Sequence, residues 1–441
     1  MSGLAPRRER WLLVTLAGVQ FAVVLDFMML MPLGESLMRL FAIAPTRFGL
    51  LVSVYMIAAA AAGFAASFIV DRFDRRSTLV AACACFTATT VLTATAQDYL
   101  WLLAARAIAG AFGGILFATV LAIVGDAIPE GRRGRALGVV MSASSIASIV
   151  GIPLSLWLAA RYSWRAPFFA NTALAAAILA AALRTVPHIR GHLEAARGRA
   201  ALGRVAAVFG NANHLRAFGL SMTLNFSGFL IVPFIAPYLV ANVGVTEAEL
   251  PVTYFFGGLA ALFFVRQVGR LTDLHGRRRV FGWVAAASIV GILVVTHLPP
   301  VPLWGVVLAQ MLLMATFPGR FVPAMAILQS AVAAELRGSF MSFNAALQQL
   351  AAGAGSFVAA AMVARGAGGE LTGFDAVGWV SMLATGLAIA LAGRVRRAPA
   401  PRRSSRSPGR GSGRAPGPRG SAASRRRPRS ACRRRCRRRA S

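Results

Sequence analysis

The chain contains no lysine and few acids. All 47 of its basic residues are arginine, set against 15 aspartates and glutamates in 441 residues. Charged residues make up 14% of the sequence, where a soluble domain carries roughly 25%. That shortage excludes an ordinary water-soluble enzyme. Four cysteines do not make a disulfide scaffold. Cys83 and Cys85 fall inside an apolar run, where a thiol packs as a small hydrophobe. Cys432 and Cys436 lie in an arginine-rich tail with no other metal ligand close by in sequence. Without lysine there is no Gly-Lys-Ser/Thr phosphate loop, which excludes an ATP-driven pump within this chain. No catalytic triad and no metal-ligand cluster stands out, so neither enzymatic activity nor a metal or other cofactor is expected.

What the chain has in abundance is apolar sequence. Hydrophobic residues make up 57% and the mean hydropathy is +0.64. Twelve apolar segments fall at about 11–32, 47–70, 79–96, 99–125, 136–158, 166–186, 216–241, 251–270, 280–297, 302–330, 339–364 and 374–393. Each can cross ~30 Å of hydrocarbon at about 1.5 Å per residue. In lipid the backbone must bond internally, so the segments are expected to be helices and the fold an all-α polytopic membrane protein.

The net charge of +32 is distributed in a way that argues against a nucleic-acid groove. Sixteen arginines lie in 401–441, a stretch without an acid, and most of the others sit in short loops. With the N-terminus inside, the inner loops and helix ends hold 20 arginines and the opposite side five, Arg39, Arg47, Arg161, Arg165 and Arg365. This bias predicts cytoplasmic termini in an inner (plasma) membrane. Met1–Arg10 lacks a small-residue cleavage site and reads as a cytoplasmic lead, not a cleaved signal. The expected organisation is a lead at 1–10, a six-helix bundle at 11–186, a cytoplasmic linker at 187–214, a second six-helix bundle at 215–395 and a disordered tail at 396–441.

The halves repeat. Asp71-Arg72-Phe73-Asp74-Arg75-Arg76 reappears as Asp273-Leu274-His275-Gly276-Arg277-Arg278 at an offset of 202. Arg133-Gly134 reappears as Arg337-Gly338 at 204, and Pro32 as Pro233 at 201. Two pseudo-symmetric six-helix bundles, with a small-molecule site between them near the midplane, are a transporter architecture.

Gly269 through Arg279 resembles the signature loop between the second and third helices of the major facilitator superfamily, in its second-half copy. In the first-half copy Ser67 and Asp74 stand in the two glycine positions, while Asp71 and Arg75 keep the acid and base. Leu103 through Gly110 resembles the fourth-helix motif, with Ala109 where glutamine is usual. Gly151-Ile152-Pro153 resembles the antiporter motif of the fifth helix, with Ile152 inserted. Trp164 through Phe168 resembles the opening of the sixth. Leu25-Asp26 with Pro32 resembles the first-helix motif of the 12-helix drug:proton antiporter branch. The resemblance spans about 10–395 and implies proton-coupled efflux of a small amphipathic or lipophilic compound by alternating access. Sugar, nucleobase or other metabolite efflux is the alternative within the class; a sensor or scaffold without transport lies outside it. The expected partners are a small-molecule substrate, protons and the lipid bilayer, with no nucleic acid and the protein a monomer.

Asp26 is the one acid deep inside an apolar segment, where a charge costs ~2.5–3.5 kcal/mol. It lies ~22 Å from the inner end of its segment and Arg106 ~10 Å from the outer end of the fourth, so both occupy one plane. Burial and a guanidinium act on a carboxylate's proton affinity in opposite senses, which suits proton loading and release. A static ion pair, or no contact, are the other readings. Offsets of 202 and 204 carry this pair onto Gly228 and Gln310, so the second half is expected to offer neutral groups: Asn225, Gln310, Asn344 and Gln348. Phe21, Met29 and Tyr55, with Phe117, Phe229 and Phe256, are candidate cavity linings. Asp71, Arg75 and Asp126 form an expected cytoplasmic gate, repeated by Asp273 and Arg277. Arg266 and Arg320 are placed toward the inner ends of their segments. Snorkelling to the interface is the first reading for both; for Arg320, between two prolines and beside a glycine that would break the helix, a gating role is the alternative. Small-residue stripes containing Gly151 with Pro153, and Gly355, are expected to face each other across the halves.

Overall fold

The computed structural model describes residues 6–69, 73–188, 206–333 and 336–398. Asp71, most of the linker and the arginine-rich tail lie outside the described residues. Twelve helices are long and apolar enough to cross a membrane: α1 Arg7–Met28, α2 Pro45–Ala66, α3 Arg75–Ala94, α4 Tyr99–Ala127, α5 Gly131–Arg161, α6 Ala166–Thr185, α7 Ala212–Val243, α8 Leu250–His275, α9 Arg277–Thr296, α10 Leu303–Ser330, α11 Arg337–Met362 and α12 Phe374–Arg394. They form two six-helix bundles, α1–α6 and α7–α12. A seven-residue helix, Gly34–Leu40, joins α1 to α2. A small antiparallel hairpin, β1 Ala364–Arg365 and β2 Leu371–Thr372, joins α11 to α12.

Small residues set the helix spacing. A Cβ on Gly110 would stand 2.2 Å from the Tyr55 carbonyl oxygen, and one on Gly114 2.2 Å from that of Ala59. One turn apart on α4, these glycines let it lie directly on α2. Three helices are interrupted. A π-helical turn, Ala147–Gly151, divides α5 ahead of Pro153. A 3-10 turn, Val232–Phe234, carries Pro233 in α7. Arg320 separates Leu303–Gly319 from Phe321–Ser330 in α10, where Pro318 and Pro323 each remove a backbone donor.

The apolar core is divided unevenly. Toward the arginine-poor face one cluster merges both halves, including Leu30, Phe48 and Leu51 with Phe234, Leu239 and Phe374. Toward the arginine-rich face the halves have separate cores, around Leu16, Leu79 and Val120 in one and around Phe218, Ile327 and Phe340 in the other.

The expected meeting of the two small-residue stripes does not occur. Gly151 faces Leu25 and Phe21 of α1, and Gly355 faces the Phe226 carbonyl of α7. Each stripe seats the first helix of its own half. The halves meet instead where Gly258 of α8 packs on Ile149 of α5, and where Gly49 and Gly353 bring α2 against α11. Periodicity identifies a close-packing face but not its partner.

Candidate functional site

Asp26 and Arg106 are both fully buried. Arg106 Nη1 donates to Asp26 Oδ2 at 2.8 Å and to the Asp26 carbonyl oxygen at 3.3 Å. The guanidinium carbon lies 4.4 Å from the centroid of the Tyr55 ring, within cation–π range. Tyr55 in turn packs on Phe27 at 5.1 Å, and Phe27 on Phe229 at 5.8 Å, which carries the aromatic contact from α1 to α7 and so across the halves. Asp26 Oδ1, Arg106 Nε and Nη2, and the Tyr55 hydroxyl make no hydrogen bond among the described residues. The result is an ion pair with unsatisfied polar atoms at the seam of the bundles, a place where such atoms are costly unless used.

The other candidates separate into two groups. Gln310 is completely buried, with both amide atoms unpaired, and Asn344 Oδ1 is likewise unpaired. Asn225 and Gln348 are already engaged: Asn225 Nδ2 donates to the Ser221 carbonyl at 2.9 Å, and Gln348 Nε2 to Ser221 Oγ at 2.6 Å. Gln348 therefore ties α11 to α7 within one half. Met29 is buried beside Ser155, whose hydroxyl contacts its sulfur at 4.0 Å, and Phe21 packs against the Gly151 region. Phe256 is exposed.

At the arginine-rich face, Arg75 Nε donates to Asp126 Oδ2 at 2.9 Å. Asp74 binds His188 and takes a weak hydroxyl contact from Ser77 at 3.4 Å. The expected repeat of this network in the second half is corrected by the structure. Arg277 donates instead to the Ala326 carbonyl in the last turn of α10 at 2.7 Å, and Asp273 makes no ion pair among the described residues. The offset of 204 that carries one half onto the other places Ser330 where Asp126 stands. With no carboxylate there, the guanidinium takes a backbone carbonyl near the inner end of the helix, the end that carries partial negative charge. The two loops also differ in backbone. Gly276 has φ +83, a region that favours glycine, whereas Asp74 at the matching position has φ −60 and precedes α3 as its N-cap.

Arg320 also departs from expectation. It is not near a helix end open to the interface but has no exposed surface, inside the second bundle. Arg266 is exposed, in keeping with a side chain that reaches outward.

The sequence reading missed a second set of charges. Arg365 of β1 donates to both carboxylate oxygens of Glu35 at 2.9 and 2.8 Å, and Arg39 pairs with Glu247. Glu35 and Arg39 are one turn apart on the short helix after α1, and their partners belong to the other half. Among the described residues, these two ion pairs are the ones that tie half to half, and both lie at the arginine-poor face. The four-residue spacing of Glu35 and Arg39 was a visible signal, but it read equally well as a local pair.

The family model described as Major Facilitator Superfamily matches residues 16–214 and 217–437. The chain belongs to the major facilitator superfamily. It is 23% identical over 394 residues to the uncharacterised MFS-type transporter YbcL of Bacillus subtilis (strain 168), covering 86% of this chain and 94% of that one. It is 26% identical over 225 residues to a chloramphenicol resistance protein of Streptomyces lividans, covering 49% of this chain and 57% of that one. In fold it is similar to the crystal structure of a D-xylose-proton symporter, with a TM-score of 0.71 at 18% identity over 88% of this chain and 97% of that one. As a superfamily member the protein is a membrane transporter.

Proposed function

We propose that this transporter is a proton-coupled exporter of a small amphipathic or lipophilic compound, of the 12-helix drug:proton antiporter branch. The arginine-rich face, with both termini, is placed in the cytoplasm, and the protein in the inner (plasma) membrane as a monomer. The observation that carries the reading is the buried Asp26–Arg106 pair with one carboxylate oxygen unpaired. Protonation of Asp26 releases Arg106 from its charge partner. The aromatic chain Tyr55–Phe27–Phe229 lies against the pair and crosses to the other half, so the change reaches the interface that must rearrange.

The moving bodies are taken as 11–186 and 215–395. Their shared core and both cross-half ion pairs lie at the arginine-poor end, which supports reading the described state as the one closed to the outside. Arg75 and Asp126, already paired within the first half, are assigned, with Asp71 four residues before Arg75, to the cytoplasmic gate that closes in the opposite state. The relationship to a chloramphenicol resistance protein supports a lipophilic cargo. The aromatic and methionine side chains Phe21, Met29 and Tyr55, proposed as linings of the substrate cavity, suit such a cargo.

A second reading, efflux of a sugar, nucleobase or other metabolite, is favoured by one observation. Gln310 and Asn344 are buried neutral amides with unpaired atoms, the chemistry that orients a hydroxylated or heterocyclic solute. Flux measurements in proteoliposomes under an imposed pH gradient, with chloramphenicol and D-xylose as probes, separate the two readings. Gradient-driven movement of chloramphenicol is expected. Indifference of flux to the gradient overturns proton coupling. Absence of movement for every solute in a growth-inhibition panel leaves the non-transporting sensor.

A further inference from the structure

The second bundle contains a buried cation that the proton-coupling site does not use. Arg320 has no exposed surface and no acidic partner among the described residues. The other fully buried arginine among the described residues, Arg106, has Asp26. A lone guanidinium in the membrane interior is costly without a compensating negative charge.

Its surroundings are neutral and loosely fitted. Nη1 donates to Thr385 Oγ1 at 3.0 Å, to Ser288 Oγ at 3.4 Å and to Ser227 Oγ at 3.5 Å. Nη2 reaches Ser227 Oγ and the Leu224 carbonyl, both at 3.5 Å, and Nε makes no hydrogen bond. Charge-assisted bonds of this kind normally measure about 2.7–2.9 Å. The hydroxyls themselves form a linked set, with Ser227 Oγ 2.8 Å from Thr385 Oγ1 and 3.0 Å from Ser381 Oγ. Three helices, α7, α9 and α12, thus aim hydroxyl groups at one guanidinium, and the Phe317 ring closes over it at 4.2 Å.

Two further features point to an anion. Arg320 sits at the start of the ten-residue inner segment of α10, Phe321–Ser330, whose N-terminal amides carry partial positive charge. An anion also has a basic approach. A cavity of about 370 Å³ at the arginine-rich end of the same bundle is lined by Arg277, Arg278, Arg279 and Arg397 together with Ile327 and Ser330 of α10. Ile327 is two turns along α10 from Arg320, ~10 Å at 1.5 Å per residue. Such a vestibule concentrates anions at the mouth of the bundle.

We propose that Arg320, with Ser227, Ser288 and Thr385, forms a buried site for a small inorganic monoanion, chloride in the cell. One negative charge balances one guanidinium, and the three hydroxyls, which here accept from Arg320 and donate to backbone carbonyls of their surroundings, would turn their protons to a spherical ion when it binds. The enclosed position disfavours an organic anion. This site is independent of proton coupling and of the cargo, and its test needs no transport.

The test is equilibrium binding of radiolabelled chloride to the purified full chain in nanodiscs, together with thermal unfolding in chloride, bromide, acetate and gluconate at one ionic strength. Chloride and bromide are expected to bind saturably and raise the unfolding temperature, acetate and gluconate to do neither. Arg320→Gln should abolish chloride binding. Should that variant not fold, the paired change Ser227→Ala and Thr385→Val, which keeps the charge and removes two hydroxyls, should weaken binding about tenfold. Absence of saturable chloride binding in the unaltered protein overturns the site. So does stabilisation by acetate equal to that by chloride, or unchanged binding in either variant.

Discussion

The carboxylate of Asp26 is shared unevenly: Oδ2 takes Arg106 at 2.8 Å, while Oδ1 takes no partner among the described residues. A purely architectural ion pair buried this fully would be expected to use both oxygens. The uneven use fits the proposed proton coupling, because the second oxygen offers a place where a proton can sit without first displacing the guanidinium.

That arrangement leads to a prediction about coupling. Asp26→Asn keeps the shape and removes the titration, and should lower pH-gradient-driven flux about tenfold or more while leaving substrate exchange without a gradient in place. Arg106→Ala alone strands a buried carboxylate. The two changes together should fall short of additivity by about 0.5–3 kcal/mol in transport activation energy. Full additivity, read from initial rates in proteoliposomes, means that the residues do not act as a pair.

The outer ion pairs differ enough in burial to predict unequal effects. The Glu35 side chain is 6% exposed and its partner Arg365 32%, whereas Arg39 and Glu247 are 57% and 36% exposed. Solvent screening reduces the second pair to roughly 0–1 kcal/mol. Losing the first, with two hydrogen bonds to a charged group, should shift the balance of states by about 1–3 kcal/mol. With spin labels at Leu40 and Ala248 in a background lacking other cysteines, Glu35→Gln should add a population at longer distance and Arg39→Gln should not. Charge exchange, Glu35→Arg with Arg365→Glu, should restore the short distance. An identical response to both single changes rejects the ranking.

Most of the fold was legible because the membrane reduces the problem to one dimension. Length and hydropathy located the twelve spans, and counting along helices put Asp26 and Arg106 at one depth, which the structure narrows to a hydrogen bond. Rotation about each helix axis was not legible. Arg320 was assigned a depth but not a direction, and its direction, toward Ser227, Ser288 and Thr385, is what encloses it. The Glu35–Arg365 contact spans 330 positions and depends on how the two bundles are turned toward each other. The second-half gate was expected from the repeat of Arg75 as Arg277. The acid that completes the first copy, Asp126, has no counterpart in the second, and a motif read as one loop did not extend to it.

The glycines of α4 give a stability prediction with an internal control. A Cβ at Gly110 or Gly114 would press within 2.2 Å of a backbone carbonyl on α2. Backbone cannot swing aside as a side chain can, so Gly110→Ala should cost about 1–3 kcal/mol of stability or more. Gly125 lies on the same helix with nothing within 4 Å of its would-be Cβ. Gly125→Ala should be neutral or slightly stabilising, since alanine favours a helix by about 1 kcal/mol over glycine. Thermal unfolding in detergent tests both, and equal losses at the two positions would mean that close approach of α4 to α2 does not set the spacing.

The turn between α8 and α9 predicts an asymmetry between two loops that share a motif. Gly276 holds φ +83 with ψ 142, a conformation essentially reserved for glycine, so Gly276→Ala should cost about 1–3 kcal/mol from backbone strain alone. The matching Asp74 holds φ −60 and contacts His188 and Ser77. Replacing it with glycine to restore the family pattern removes those contacts without relieving any strain, and should also destabilise, by about 0.5–2 kcal/mol. Unfolding temperatures of Asp74→Gly and Gly276→Ala are the measurement. A rise for Asp74→Gly would show that the first-half loop is strained at that position and that its side-chain contacts contribute nothing.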